Sequence, residues 1–345
     1  MLPSISLVVP AKNEEKVIGE CLESLLNLDY PRDKLEIAVV IDDSHDKTLE
    51  IARKYEKSIK VFEVEKKNCK AEAINAVLDR LNGKIVGIFD ADSVVDRDCI
   101  QHVVRKFEDK RVMGVAGSVK SRNRRENLLT RILSIETTFS SFTEYFLSRL
   151  GANAYFSGKN MFVRKDVLIK LGGFEEKSFL EDIELSIRMR RNKMKVVFEP
   201  RALAYQQEPA SLQAYLNQRM RWARGSIRIG KMNRKVPKRE WAKDLIHGLA
   251  YYLSPFSIIV ATGLLFSHLF GLYYIGIGYG LLGLFLFSLL LLVYSRIYYK
   301  EPLRYLLLTP LWFFLSNFYA LILLPKAYID EKKNKPFVWY KTPRW

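Results

Sequence analysis

The sequence is poor in cysteine and histidine. Cys21, Cys69 and Cys99 lie far apart, which excludes a disulfide framework and a zinc ribbon, and four dispersed histidines exclude a His-rich metal cage. This usage fits a reducing compartment and no structural metal. No G-x-G-x-x-G or P-loop occurs, so a glycine-rich cradle for phosphates is excluded. Acidic residues are in deficit: 55 Lys and Arg stand against 38 Asp and Glu, a formal charge of +17. That balance excludes an acidic solvating chain and points to a partner of negative charge. Hydrophobic residues at 49% exclude disorder and collagen-like repeats, and 345 residues leave room for two or three domains.

Charge itself is missing over a long internal stretch. Between Asp244 and Arg296 there is no Asp, Glu, Lys or Arg. As helix at about 1.5 Å per residue this run would extend roughly 75 Å, over twice the ~30 Å of a bilayer core. It therefore reads as two crossings, near 246–268 and 272–294. A third uncharged run, Tyr305 to Pro325, contains Pro310 and reads as a span (304–325) or as a broken, re-entrant segment. Soluble core helices are the alternative, but these runs have no polar face. Basic residues crowd the segment before the first run (Arg219, Arg221, Arg224, Arg228, Lys231) and follow the second (Arg296, Lys300, Arg304). Positive flanks stay cytoplasmic, so a multi-pass protein of the cell membrane is expected, its N-terminal domain facing the cytoplasm. Much of the +17 then serves topology and attraction to anionic headgroups rather than nucleic acid. Residues 1–9 hold only a short apolar run, read as a strand and not as an export signal. The tail from Lys326 to Trp345 is also basic, yet three crossings would place it outside, so either the third run does not span or the tail breaks the charge rule.

The first 208 residues alternate strand and helix patterns. Ile5–Val9, Leu35–Ile41, Ile59–Val64 and Ile85–Phe89 are β-rich runs. Between them, Val17, Ile18, Cys21, Leu22, Leu25 and Leu26 share one helical face, and further helices are expected over Lys47–Tyr55 and Ala71–Leu81. This alternation implies an α/β fold with a mostly parallel sheet between helices. Ligands of such sheets bind beyond the carboxyl ends of the strands, where Pro10–Glu14, Asp42–Asp46 and Asp90–Asp92 lie. Asp90-Ala91-Asp92, read as an extended strand end, sends two carboxylates to the same side. Two hard oxygen ligands suit Mg²⁺ or Mn²⁺; an Asp turn capping the next helix is the alternative.

At these residues the sequence resembles the family 2 glycosyltransferases, in particular their membrane-bound branch with the cellulose, chitin and hyaluronan synthases. Val8-Val9-Pro10-Ala11-Lys12-Asn13-Glu14 is similar to the opening strand and P-x-x-N-E turn. Val39-Val40-Ile41-Asp42-Asp43-Ser44 resembles the strand whose Asp pair holds the nucleotide base. Lys70-Ala71-Glu72-Ala73-Ile74-Asn75 resembles K-A-G-A-L-N, with Glu72 where Gly is usual. Asp90-Ala91-Asp92 resembles the metal-binding D-x-D. Gly172-Gly173-Phe174 followed by Leu180-Glu181-Asp182 resembles G-G-F and T-E-D, with Leu in place of Thr, and Gln218-Arg219-Met220-Arg221-Trp222 is a full Q-x-x-R-W. Lys12 stands where many relatives carry an aromatic that stacks on the base.

The resemblance implies a GT-A fold, a Rossmann-like mixed sheet over 1–208. An interfacial basic segment over 209–242, transmembrane helices over 243–325 and a basic tail over 326–345 would follow. It implies a nucleotide-sugar donor, with Pro10, Ala11, Glu14, Asp42, Asp43, Lys70, Asp90, Gln218, Arg221 and Trp222 at the donor, and Asp92 and Asp90 at a Mg²⁺ or Mn²⁺ ion acting as Lewis acid. Asp182 is the expected general base and Glu181 its catalytic neighbour; alternatively Glu181 is a carboxylate favoured at a helix N-terminus. Arg221 suits a bidentate grip on phosphate, and Trp222 either floors an acceptor sugar or anchors at the membrane interface. The broad apolar stripe Leu128–Leu147 and the segment Pro209–Arg228 read as interfacial helices, with packing on the sheet as the alternative for the first. The tail segment Phe337–Arg344 resembles those that close over the nucleotide in relatives.

Three spans can hardly enclose a polymer tunnel. The expected reaction is therefore inverting transfer of one hexose (mannose, glucose or N-acetylglucosamine) to a lipid-linked acceptor at the cytoplasmic face. A processive polysaccharide synthase is the alternative, and a non-catalytic membrane adaptor the alternative of another class. Membrane lipids are expected partners and nucleic acid is not.

Overall fold

A computed structural model describes residues 2–65, 67, 69–232, 289–299 and 308–335. They fall into two compact units. The described residues of Met1–Asn123 and Glu144–Glu208 make the first, and Arg124–Thr143 with those of Pro209–Lys341 the second.

The first unit is built on one eight-stranded sheet in the order β3-β2-β1-β4-β7-β6-β8-β5. The strands are β1 (Ile5–Ala11), β2 (Leu35–Asp42), β3 (Lys60–Val64), β4 (Ile85–Ile88), β5 (Val94–Val95), β6 (Val112–Ser121), β7 (Met161–Arg164) and β8 (Lys195–Gln206). The four strands read from the sequence are the first four in chain order, and all four run parallel. The sheet as a whole is mixed, as the resemblance implies, and mostly parallel: six of its eight strands run one way and β7 and β5 the other. β7 runs antiparallel to both β4 and β6. Hydrophobic spacing carries no strand direction, so this reversal is invisible in the pattern.

The reversal matters for where loops meet. Ile88, the last residue of β4, pairs with Met161, the first of β7. The segment entering β7 therefore reaches the rim from which β1, β2 and β4 leave the sheet.

Side chains alternate between two buried layers, so both faces need covering. Ile5, Leu7 and Val9 face α1 (Ile18–Leu26) and α4 (Cys99–Phe107). Val8, Val40 and Ile88 face α3 (Lys70–Leu78), α6 (Lys165–Lys170) and α7 (Glu181–Arg191). The short α2 (Thr48–Arg53) follows β2. All three helices expected from the early spacing are present, each within a few residues of its expected bounds.

In the second unit, the first part of α5 (Leu128–Arg149) supplies Ile132, Ile135 and Phe139 to a cluster with Leu291 and Trp312. α8 (Leu212–Met232) packs Ala223 with Tyr319, Leu323 and Ala327. The third uncharged run is described from Leu308. It forms α9 (Thr309–Phe318), with Pro310 in its first turn, then a π turn (Tyr319–Leu323) and α10 (Leu324–Lys332). Proline is tolerated there because the first N–H groups of a helix have no partner inside it. Among the described residues no helix is long and apolar enough to cross a membrane. The expected crossing at 246–268, nearly all of that at 272–294, and the tail segment Phe337–Arg344 lie outside the described residues.

Candidate active site

Two loops at the sheet rim are zipped together by reciprocal hydrogen bonds. After β1, the Asn13 and Glu14 N–H groups donate to Ser44 Oγ (3.0 Å) and Thr48 Oγ1 (2.7 Å). In return the His45 N–H donates to Asn13 Oδ1 (2.7 Å) and that of Lys47 to Glu15 Oε2 (3.0 Å). Asn13 and Asp43 both adopt left-handed backbone, at φ 54° and 46°, a conformation Asn and Asp tolerate better than most residues. This zipper fixes Pro10, Ala11 and Glu14 beside Asp42 and Asp43.

Asp42 closes β2 and is buried. It accepts from the Lys67 N–H at 2.7 Å and lies 3.3 Å from the Lys12 ammonium. Lys12 thus engages the first acid of the Asp pair.

Asp90-Ala91-Asp92 is not an extended strand end. β4 stops at Ile88, and the Ser93 N–H donates to Asp90 O at 3.0 Å, which closes a turn. The two-residue alternation of a strand is lost there: Asp92 is buried, whereas Asp90 stays partly exposed.

The rim next gathers charge around one lysine. Lys70 begins α3, and its ammonium lies 2.6 Å from Asp90 Oδ1 and 3.5 Å from Glu181 Oε1. It also donates to the Gly158 carbonyl at 2.6 Å. Burial disfavours its charge, but the fields of Asp90 and Glu181 outweigh burial and hold its pKa above the ordinary lysine value. Residues 70, 90, 158 and 181, remote in sequence, thereby meet in one place.

Asp182 is the next residue on α7. Burial pushes its carboxyl up to about 7; the negative charge of Glu181 adds to the rise, and the Ile183 N–H and the Lys70 ammonium oppose it. The Gly158 backbone lies directly against it. A Cβ at residue 158 would sit 2.8 Å from Asp182 Oδ2, and the φ of Gly158 is +70°. The Ser186 hydroxyl ties the two segments, donating to Asp182 O and accepting from the Phe156 N–H, both at 2.8 Å.

A second latch runs through Asn75 on α3. Its side chain donates to Phe174 O (2.9 Å) and accepts from the Phe174 N–H (2.9 Å). Gly173, at φ +77°, has no room for a Cβ, which would meet Asn75 Oδ1 at 2.5 Å. The Gly172-Gly173-Phe174 turn is thus held to the helix that begins with Lys70, a few residues ahead of Glu181 and Asp182.

The donor set suits a hard divalent cation. Asp90 and Asp92 bring carboxylates, and the neighbouring Ser93 hydroxyl is buried without a hydrogen-bond partner. Among the described residues no three His, Cys, Asp or Glu side chains are arranged to enclose a metal ion by themselves. Such a site fits Mg²⁺ or Mn²⁺, which keeps positions for water and substrate phosphate, and not a closed zinc cage. Cys21, behind the turn with its Sγ 3.7 Å from Asp90 O, has its pKa raised by burial and then by Asp92, so it is an inert thiol.

Gln218, Arg221 and Trp222 lie on α8, in the second unit. There Arg219 and Arg224 are buried and Arg221 is not; Arg219 is the one that meets Trp222. It makes a bidentate pair with Glu136 (2.5 and 2.9 Å) and stacks on the rings of Tyr215 (4.9 Å) and Trp222 (4.3 Å). Sequence reasoning also passed over Gly158 and the latch role of Asn75. Asn75 ends a quoted motif, and Gly158 was signalled only by a polar Ser-Gly-Lys-Asn stretch ahead of a β-rich run.

Comparison with known proteins follows the same lines. Residues 3–225 match the family described as glycosyltransferase like family 2. The chain is 28% identical to the probable glycosyltransferase YdaM of Bacillus subtilis (strain 168), over 100% of this chain and 87% of that protein. It is 31% identical to the β-monoglucosyldiacylglycerol synthase of Trichormus variabilis over 75% of this chain, and spans 58% of that enzyme's length. The fold matches the mannosyltransferase PcManGT from Pyrobaculum calidifontis, solved in complex with GDP-Man and Mn²⁺. The TM-score is 0.64 at 20% identity, over 97% of this chain and 89% of that one. This is a GT-A-like mixed sheet flanked by helices. The chain therefore belongs to the family 2 glycosyltransferases and is a hexosyltransferase.

Proposed function

We propose that this enzyme transfers one hexose, with inversion, from a nucleotide-sugar to a lipid-linked acceptor at the cytoplasmic face of the membrane. The observation that carries the reading is the cluster in which Lys70 bridges Asp90 and Glu181 beside Asp182.

In this reading Asp42 and Asp43 hold the nucleotide end, with Lys12 beside Asp42. Asp90 and Asp92 would hold Mg²⁺ or Mn²⁺, which would supply Lewis-acid stabilisation of the leaving diphosphate. Lys70 adds positive charge near the departing diphosphate. Asp182 takes the proton of the acceptor hydroxyl as its oxygen forms a bond to sugar C1. The bond from C1 to the diphosphate oxygen breaks, and a nucleoside diphosphate leaves. Attack opposite the leaving group inverts C1. A base whose pKa lies near 7 is half deprotonated at neutral pH and still basic enough to take a proton in the transition state.

Support for a lipid acceptor comes from the three uncharged runs, the basic flanks and the likeness to a glucolipid synthase. GDP-Man and Mn²⁺ on the structural relative make GDP- and UDP-hexoses with either metal the donors to try first. Membranes carrying the full chain are incubated with each labelled donor, diphosphate release is measured, and the product is sized. One labelled lipid product, abolished by EDTA and restored by Mg²⁺ or Mn²⁺, is expected. A ladder of long chains would instead assign a processive synthase, and no release with any GDP- or UDP-hexose would overturn the proposed donor class.

A further inference from the structure

The third uncharged run has two unlike faces. On one, Trp312, Tyr319, Leu323 and Ala327 are buried at roughly helical spacing. Trp312 packs on Phe139, ring centroids 4.8 Å apart, and the other three pack on α8 around Ala223. On the other, Leu311, Phe314, Phe318, Leu321 and Ile329 are exposed, Phe314 and Leu321 at 69%.

The buried face is fastened to α8 at both ends. The Tyr215 hydroxyl reaches Leu315 O at 3.5 Å. Farther along, Glu331 accepts from Arg224 (2.6 Å) and Arg228 (2.8 Å), and its own carbonyl accepts from Lys231 (3.1 Å). From Tyr215 to Arg228 and from Leu315 to Glu331 the two segments rise about 20 and 24 Å, so they run side by side in the same direction. α8 carries Arg219, Arg221, Arg224, Arg228 and Lys231 along that length. Charges so spaced cannot lie across a hydrocarbon core without large cost. A helix packed along α8 must therefore share its depth. The chain also returns to α8 after the run, for Lys335 O accepts from Arg224 at 2.7 Å.

We infer that residues 308–335 lie along the membrane interface on the α8 side, without crossing. Their exposed apolar stripe faces the acyl chains, and Lys326, Lys332 and Lys333, all exposed, meet anionic headgroups. This removes the conflict over the basic tail. With the two earlier runs read from the sequence as a pair of crossings, residues 326–335 stay on the α8 side in accord with their charge.

The test uses the full chain in sealed vesicles, with Cys69 replaced by Ser; Cys21 and Cys99 are buried. A single cysteine is introduced by Gln213→Cys before the uncharged runs or Lys333→Cys after them. A membrane-impermeant maleimide is expected to label both from the same side; labelling from opposite sides overturns the inference. Nitroxides placed one at a time from Leu311 to Ile329, in vesicles containing phosphatidylglycerol, give a second readout. Immersion depth is expected to oscillate every three to four residues about a level mean. A mean that climbs to a maximum mid-segment and falls again marks a crossing and rejects the inference, and so does the absence of any immersion.

Discussion

Gly158 and Asp182 share one small space: a single added carbon on residue 158 would stand 2.8 Å from Asp182 Oδ2. The same glycine gives its carbonyl to Lys70. Gly158→Ala adds a steric collision and about 1–2 kcal/mol of left-handed backbone strain. We expect the fold to survive, with Tm lowered by a few degrees, and kcat to drop at least about tenfold as Asp182 is displaced. Unchanged kcat in a folded variant would dissociate the glycine from the base.

Asp182 yields a prediction in pH. Its carboxyl is raised by burial to about 7, and only the deprotonated form accepts a proton. Activity should therefore rise with pH through about 7 and disappear below it, with one proton's slope. Asp182→Asn should lower kcat by ~10²–10⁴ while leaving donor affinity near wild type, as calorimetry would measure. Stability should move the other way. The folded-state pKa exceeds the ordinary 3.8, so the folded protein holds the proton more tightly than the unfolded chain between pH 4 and 7. Ionisation of Asp182 thus erodes stability as pH rises through that window. The Asn variant, which never ionises there, should gain Tm over wild type from pH 5 to pH 8.

Lys70 is the counter-charge of the cluster. Its field opposes the rise in the Asp182 pKa, so Lys70→Gln should shift the acidic limb of the rate profile to higher pH. The same change takes the shared cation from Asp90 and Glu181, so Tm should fall. An unmoved limb would mean that Lys70 does not sense the base.

Asn75→Ala cuts the latch between α3 and the Gly172-Gly173-Phe174 turn. It leaves the Phe174 N–H and C=O without their side-chain partner, at about 1–3 kcal/mol for a buried unpaired group. Unfolding in denaturant should register this loss, and hydrogen exchange of residues 172–180 should quicken more than that of β1 or β2.

The sequence alone determined the first four strands, the helices between them and most of the residue types at the rim. Short runs rich in β-branched residues, such as Ser6-Leu7-Val8-Val9 and Ile37-Ala38-Val39-Val40-Ile41, read as buried strands with the acids after them at strand ends, because length, composition and spacing are local quantities. Only the tertiary structure decided the meetings. Asp90 and Asp92 sit in a turn because β4 ends at Ile88, a limit set by its neighbours in the sheet. Gly158 reaches Asp182 because β7 runs against β4, and strand direction leaves no periodic trace. Arg219 is chosen over Arg221 for burial by Glu136, more than eighty residues away. Contacts between residues remote in the chain depend on how elements are threaded and packed, and that information is carried by no single stretch of sequence.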